Sequence, residues 1–494
     1  MIHYFILSPE IFLIIGIVSI LLFGSIYSLS ERDSFPNLYK NCGYLSVITL
    51  LGTLLLYMNS FFSLADFESY RFLISKSVSS ILISVLILVL STIVVISSYK
   101  YNKRMNLLYF EYFIFILTCV LSMLLMIHCT NFFLLYLLIE LQSILLYLLV
   151  SFNKRSVRSL EAGLKYFILG SFSSMLLLFG ISVLYGVTCL SSFNDLSIFF
   201  INCFDGFILN DYMIIGIELS VSCIILGILF KLYCAPFHYW ISDIYFGAPT
   251  STLIFIACVV PLSIVYLFLK LYVNLFSEFH FFLKPILVCF SVFSLFFGTM
   301  GALVQTKIKK LIAYSSITNI GFFLSGTIVD NTLLLSKSLM FFIFYTFSLF
   351  GFFLIFMDLY DRHKPIENIY ELTGLYKKNS LLSILLGIFL FSLAGIPPFF
   401  GFFGKFYLFY ALFNESYYLF VFFLLLMSMV SCFYYLKVIK LIYYDLKIYT
   451  NVHYNLSDFS VIIVIFIFLF QLFYFLDYGY IDNLSFLIAM DLCL

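Results

Sequence analysis

The chain has 494 residues, of which 64% are hydrophobic and 10% charged, with a mean hydropathy of +1.13. Soluble domains carry about 25% charged residues, so a chain this long cannot cover its own surface in water. Soluble enzymes and disordered proteins are excluded. With 26 Lys+Arg against 25 Asp+Glu no basic patch invites nucleic acid, and an integral membrane protein remains.

A membrane span needs about 20 apolar residues, and such runs predict about 14 transmembrane helices. In chain order they fall near 8–28, 42–64, 78–98, 108–128, 131–151, 163–187 and 212–240. The others fall near 251–273, 284–304, 311–329, 333–357, 379–413, 417–437 and 459–476. The expected fold class is an all-α polytopic membrane protein. The first residues, MIHYFILSPE, carry neither a transit-peptide nor a signal-peptide pattern. Phe 65 and Tyr 38 against Trp 1 and Gly 23 is the bias that A/T-rich codons produce, pointing to an organellar genome.

Basic residues alternate with the predicted loops. Loops after odd-numbered helices hold Arg32, Lys40, Lys100, Lys103, Arg104, Lys154, Arg155, Arg158 and Lys165. They also hold Lys307, Lys309, Lys310, Arg362, Lys364, Lys377, Lys378, Lys437, Lys440 and Lys447. Even loops and their borders hold only Arg71, Lys76, Lys270, Lys284 and Lys337. By the positive-inside rule the odd loops face the cytoplasm or matrix, and both termini face the other side.

Three charges interrupt apolar runs: Glu140, Lys231 and Lys405. A charge at the bilayer centre costs about 2.5–3.5 kcal/mol on insertion scales. Glu140 lies about 14 Å into its helix at 1.5 Å per residue, near the midplane, and no other acidic residue reads as so enclosed. Lys231 precedes Pro236 by five residues, and Lys405 directly follows the break GIPPFFGFFGK. Broken helices at corresponding places in two halves mark the ion sites of inverted-repeat transporters. Lysine suits proton handling because an ammonium out of water parts with its proton more readily, and a nearby carboxylate opposes that. Glu140 and Lys231 are therefore either a static ion pair or a switch.

Further along the path, His238, Thr250, Tyr314, Ser315 and Ser316 are relay candidates. Membrane hydroxyls usually bond their own backbone, and His238 reads equally well as a satisfied helix-break residue. Glu161 and Lys165 have i,i+4 spacing and read as an interfacial pair. The cluster Lys307 to Lys310 reads as a solvated orientation signal, and Trp240 as an interface anchor. The 11 Cys show no CxxC spacing and read as small buried apolar residues, so neither iron–sulfur nor metal ligands are expected. No GxGxxG motif follows a strand pattern, so no nucleotide site is expected.

The runs Glu140-LQSILLYLLVSF and Glu161-AGLKYFILGS resemble the proton-pumping, antiporter-like membrane subunits of respiratory NADH:quinone oxidoreductase, complex I. FKLYCAPFHYWISDIYFGAPT is similar to the PFHxW–DxYxGAPT pattern of the subunit 2 branch, chain N in bacteria. ALVQTKIKKLIAYSSITNIG and AGIPPFFGFFGKFYLFYALF fit the same branch. The resemblance covers about residues 100 to 445.

It implies two inverted five-helix repeats, helices 4–8 and 9–13, with the seventh and twelfth helices broken. The corresponding segments are 1–105 (three N-terminal helices), 106–275, 276–445 and 446–494. The resemblance also implies that Glu140, Lys231, Lys405, His238 and Lys165 serve proton translocation. Where the family normally has an eighth-helix lysine after a proline, Pro261 is followed by Leu262, and Asn319 stands where many relatives have histidine. Water and hydroxyl groups would then bridge the middle of the relay.

The implied activity is that of a core subunit of NADH:ubiquinone reductase, coupling electron transfer to proton pumping in the mitochondrial inner membrane. No cofactor is expected in this chain. NAD, FMN, iron–sulfur clusters and ubiquinone would sit elsewhere in the complex. The implied partners are other membrane-arm subunits, further antiporter-like chains among them, and membrane lipids. The competing readings are a free-standing cation/proton antiporter and a scaffold whose relay has decayed.

Overall fold

The structure, a computed structural model, describes residues 7–28, 35–62, 73–204, 211–329, 331–361, 364–444, 452–454, 458–476 and 479–493. Arg32, Arg71, Arg362 and Lys447, used above for orientation, lie outside them. In hydrocarbon every backbone N–H and C=O must find its partner within the protein, and a helix does this within one segment. Helices accordingly dominate. Among the described residues eleven are long and apolar enough to cross a membrane, or twelve if Phe459–Tyr474 and Gly479–Cys493 form one bent span.

The chain divides into two compact units. One contains Met1–Leu232, Gly247–Leu283 and Asp491–Leu494; the other contains Tyr233–Phe246 and Lys284–Met490. In the first unit, Val78–Arg104 is mostly buried, with Ser79, Ser80, Ser84, Ser91, Ser97 and Ser98 turned inward. Ser84, Ser91 and Ser98 each donate to the carbonyl three residues back, at 2.7, 2.9 and 2.8 Å. They hide their own polarity and leave apolar surface for packing.

Thr250–Leu269 is buried throughout. The span Thr250–Leu275 contains two wider π-turn stretches, Phe255–Val259 and Lys270–Leu275. The first lies just ahead of Pro261, where the missing proline N–H would otherwise break the hydrogen-bond ladder. Val157–Thr188 packs along Asp211–Lys231, and the approach is close enough that only a hydrogen fits at Gly180. A Cβ there would stand 2.8 Å from Ile224 Cγ1 and 2.9 Å from the Ser220 carbonyl oxygen. Small residues at such crossings let helix backbones approach.

In the second unit Thr332–Asp358 forms the centre and is almost entirely buried. Ser380–Ala394 and Phe400–Asn414 flank it, each 15 residues long. At 1.5 Å per residue each rises only about 22 Å, short of a full crossing alone. One feature is absent from the sequence reading: a small antiparallel sheet in which Leu359–Asp361 pairs with both Lys364–Pro365 and Val452–Tyr454. Strands this short carry too few residues for alternation to register in a sequence. The short helix Phe193–Phe204 and the terminal helix Gly479–Cys493 were likewise not anticipated, because neither is long enough to read as a separate span.

Large apolar side chains remain bare on the outer faces, among them Ile15, Leu55, Phe167, Met175 and Phe466. In water this surface would be untenable; against acyl chains or neighbouring apolar proteins it is not. Replacing Gly180 with Val should force apart the Val157–Thr188 and Asp211–Lys231 helices. The expected result is a loss of the folded chain from membranes, read by immunoblot of solubilised membranes. Wild-type amounts would show that the close approach is dispensable.

Candidate functional site

Glu140 sits in the third turn of Phe132–Val150, whose start is capped by Asn131 accepting from the Phe133 N–H at 2.9 Å. Ser143, one turn on, donates to its carboxylate at 3.4 Å and to its main-chain oxygen at 2.9 Å. Tyr136, one turn earlier, is its other polar neighbour. The carboxylate is only half-buried within this chain.

Lys231 is the last residue of Asp211–Lys231, where unpaired carbonyls give a helix its partial negative charge. Glu140 and Lys231 lie in the same unit, and the Glu140 charge reaches the Lys231 ammonium. Among the described residues, however, they form no direct ion pair. The static salt bridge is therefore not the arrangement found.

After Lys231 the helix stops. The Tyr233 backbone is left-handed at φ 49°, Ala235–Pro236 is cis, and a helix restarts at Tyr239. His238 closes this break. It is 5% exposed, with its ring stacked on Tyr239 at 4.6 Å and on Phe297 at 5.6 Å. Its Nδ1 makes no close hydrogen bond among the described residues, and the ring meets the Pro236 backbone. Tyr314 meets the ring edge-on at 6.4 Å.

Lys405 has the most defined surroundings. It is 6% exposed and donates to the Ala394 carbonyl at 3.1 Å. Ala394 ends the first half of the broken helix, so the ammonium satisfies a carbonyl that the break orphans. The Cys432 thiol donates to the same oxygen at 3.2 Å, and the ammonium lies over the Phe322 ring at 5.2 Å. Gly395 makes the turn at φ +85°, and a Cβ there would meet Lys405 Nζ at 3.1 Å.

The other candidates separate into groups. Ser315 and Ser316 donate to their own helix backbone at 2.8 and 2.7 Å. The Thr250 N–H donates to the Tyr101 hydroxyl at 3.3 Å. Lys165 pairs with Glu161 at 2.9 Å on an exposed face. Leu262 is buried, and the neighbouring Ser263 hydroxyl is taken by the Val260 carbonyl at 2.8 Å.

Four readings need correction. The Lys307–Lys310 cluster is not simply solvated: Lys309 is 7% exposed, Lys310 pairs with Asp243 at 3.2 Å, and Lys307 lies 3.8 Å over the Phe246 ring. Folding brings Asp243 and Phe246 to it from 60 residues upstream, which local sequence does not show. Trp240 is 5% exposed and packs edge-on against Tyr233 at 6.1 Å, so it is a core residue and not an interface anchor. Cys189, Cys289 and Cys493 are exposed: Cys189 follows the end of Val157–Thr188, and the other two lie on their helices. Finally, Glu140 is not the most enclosed acid: Glu10 is 2% and Asp358 4% exposed. Both lie near helix ends, where a sequence reading expects water.

Residues 129–431 match the protein family described as NADH:quinone oxidoreductase/Mrp antiporter, transmembrane. The chain belongs to this family. It is 37% identical over 363 residues to NADH-quinone oxidoreductase subunit N of Paramagnetospirillum magneticum, covering 73% of each chain. It is 34% identical over 442 residues to NADH-ubiquinone oxidoreductase chain 2 of Marchantia polymorpha, covering 89% of this chain and 88% of that one.

Among solved structures, the fold is similar to a chain of respiratory complex I from Thermus thermophilus. The TM-score is 0.74 and the identity 22%, over 96% of this chain and 98% of the other. It is also similar to a chain of the Mrp complex from Dietzia, with a TM-score of 0.80 and 15% identity, over 98% and 97%. The antiporter-like fold and the resemblance to the subunit 2 branch are thereby shown.

Replacing Gly395 with Ala adds a methyl group in a left-handed turn and against the Lys405 ammonium. The expected cost is about 1–2 kcal/mol, with Lys405 displaced from the Ala394 carbonyl. Thermal unfolding of the solubilised protein should show a lowered midpoint; an unchanged midpoint would mean that the turn tolerates the side chain.

Proposed function

We propose that this chain is a proton-translocating membrane subunit of an NADH:ubiquinone oxidoreductase, in which electron transfer elsewhere in the complex drives protons across the membrane. The observation that carries the reading is a broken helix with a lysine beside the break, found twice in the chain. Lys231 ends its own helix, and Lys405 reaches back to Ala394. An ammonium held there is stabilised by the helix end while it stays charged, and it has little else to hold it. Its protonation state is then open to control by a neighbouring charge, and for Lys231 that charge is Glu140.

In this account protons are taken up on the side of the odd loops, pass Glu140 and Lys231, reach Lys405 with water as the bridge, and leave on the other side. His238, at the break beside Pro236, serves as an intermediate relay group. Lys165, paired with Glu161 on an exposed face, serves as the charge that a neighbouring subunit engages. The segment Ile308–Ser325, the broken pair 380–394 and 400–414, and Asp458–Leu476 would complete about 14 spans. Residues 106–275 and 276–445 would then be the two inverted repeats, following the three helices of 1–105 and preceding 446–494.

The redox cofactors, NAD, FMN, iron–sulfur clusters and ubiquinone, belong to other subunits in this reading. The partners are those subunits, other antiporter-like chains and lipids. Relatives from a plant and from bacteria fit an inner mitochondrial or a bacterial plasma membrane, and the codon-driven composition favours the former.

The test is proton pumping by the assembled complex with Glu140→Gln or Lys405→Ala. Each should lower pumping by about tenfold or more while the complex still assembles. Intact pumping in both variants would refute the proposal, and failure of the chain to comigrate with NADH-oxidising activity on a native gel would favour a free-standing antiporter.

A further inference from the structure

A second set of buried ionisable groups lies in the first unit and includes neither Glu140 nor Lys231. Glu10, in the first turn of Ser8–Ser28, is 2% exposed. Lys76, just before Val78–Arg104, meets it at 2.8 and 3.1 Å through its two carboxylate oxygens. Tyr57, near the end of Phe35–Phe62, is fully buried, and its hydroxyl donates to Glu10 Oε1. On its other side the same hydroxyl lies 3.3 Å from His128 Nε2 at the end of Glu111–His128.

His128 is fully buried and stacks on the Tyr57 ring at 5.8 Å. Its Nδ1 has no hydrogen-bond partner among the described residues. The Lys76 ammonium lies over the Tyr57 ring at 4.7 Å. Lys270 binds the carbonyls on either side of His128, Ile127 at 3.1 Å and Cys129 at 2.7 Å. The charged and titratable groups around His128 are thus Tyr57, Glu10, Lys76, Lys270 and Cys129.

Donor and acceptor roles follow from chemistry. An ionised carboxylate only accepts, so the Tyr57 hydroxyl proton points at Glu10 and the Tyr57 oxygen must accept from His128. In this tautomer the ring carries its proton on Nε2, and Nδ1 is the buried acceptor, on a ring that also meets the Ser75 backbone. This is a continuous hydrogen-bonded chain: His128 Nδ1, His128 Nε2–H, Tyr57 O–H, Glu10 carboxylate.

We propose that His128, Tyr57 and Glu10 form a proton relay that opens toward the even-loop face, distinct from the lysine-based set. A proton arriving at Nδ1 releases the Nε2 proton to the Tyr57 oxygen, while Tyr57 passes its own proton to Glu10. One proton has entered and one resides on Glu10; every oxygen and nitrogen keeps its valence. Neutralising Glu10 discharges its ion pair and leaves the Lys76 ammonium beside a newly protonated acid, which favours expulsion of that proton. Rotation of the hydroxyl and the imidazole restores the starting state.

All four helix ends and Lys76 belong to the even side, so by the positive-inside reading the relay is an outlet. The inference rests on the proton-translocating reading above. A structural clamp would need the Glu10–Lys76 pair but has no use for a continuous donor–acceptor chain running on through Tyr57 to a buried imidazole.

The discriminating variant is Tyr57→Phe in the intact complex in its own membrane, with Glu140→Gln and Lys405→Ala alongside. Phenylalanine keeps the ring against His128 and under Lys76 and removes only the hydroxyl. Per assembled complex, coupled turnover and protons pumped per electron should fall at least about threefold, with an altered pH profile. Unchanged protons per electron and pH profile would overturn the relay, as would loss confined to the amount of assembled complex. If Tyr57→Phe does not assemble, His128→Phe is read by the same criteria. Should Glu140→Gln and Lys405→Ala also pump normally, the translocation reading itself fails; should they abolish pumping while Tyr57→Phe does not, only the relay fails.

Discussion

A lysine ammonium and an interrupted helix are each intolerable in hydrocarbon, and this protein sets one against the other. A break in a helix leaves carbonyls without donors, and a buried ammonium offers donors without acceptors. At Lys405 the two deficits cancel through the Ala394 carbonyl. Lys231 stands at the last position of its own helix, just before the other break. The arrangement holds a charge at depth without a tight carboxylate partner, and that separates a group able to change protonation from one locked in a salt bridge. The separation of Glu140 from Lys231 fits the same logic: close enough to be felt, without direct contact.

The lysines on the even side follow a different rule. Lys76 is paired with Glu10, Lys270 with two main-chain carbonyls, Lys284 with the Tyr417 hydroxyl and Lys337 with Asp482. The positive-inside rule disfavours exposed basic residues there, and each of these four is held by protein groups. Where Glu10 answers Lys76, the compensation extends through Tyr57 to His128, so a solution to a charge problem also assembles a chain of proton donors and acceptors.

Much of this was legible in the residues. Spans show in apolar run length, and the breaks show in Pro236, Pro397 and Pro398 with a lysine beside each. The structure puts both interruptions where those prolines predict, at Leu232–His238 and Gly395–Phe399. Tertiary partnership was not legible. Glu10 reads as a terminal, wetted acid because nothing local shows that Tyr57 and Lys76 will close over it. Asp243 and Lys310 lie 67 positions apart, and only packing joins them. The same blindness made Trp240 an interface residue on paper and a core residue in the fold. Run length also merges or omits short elements, which is why the pieces 193–204 and 479–493 and the small sheet went unseen.

The most direct test of the central claim is an experimental map of the intact complex at a resolution that shows water, recorded at rest and during turnover. The account predicts ordered water joining the Glu140 carboxylate to the Lys231 ammonium, and water reaching Lys405 Nζ in at least one state. A dry, apolar seal around both lysines in every state would contradict it, and the buried charges would then be structural.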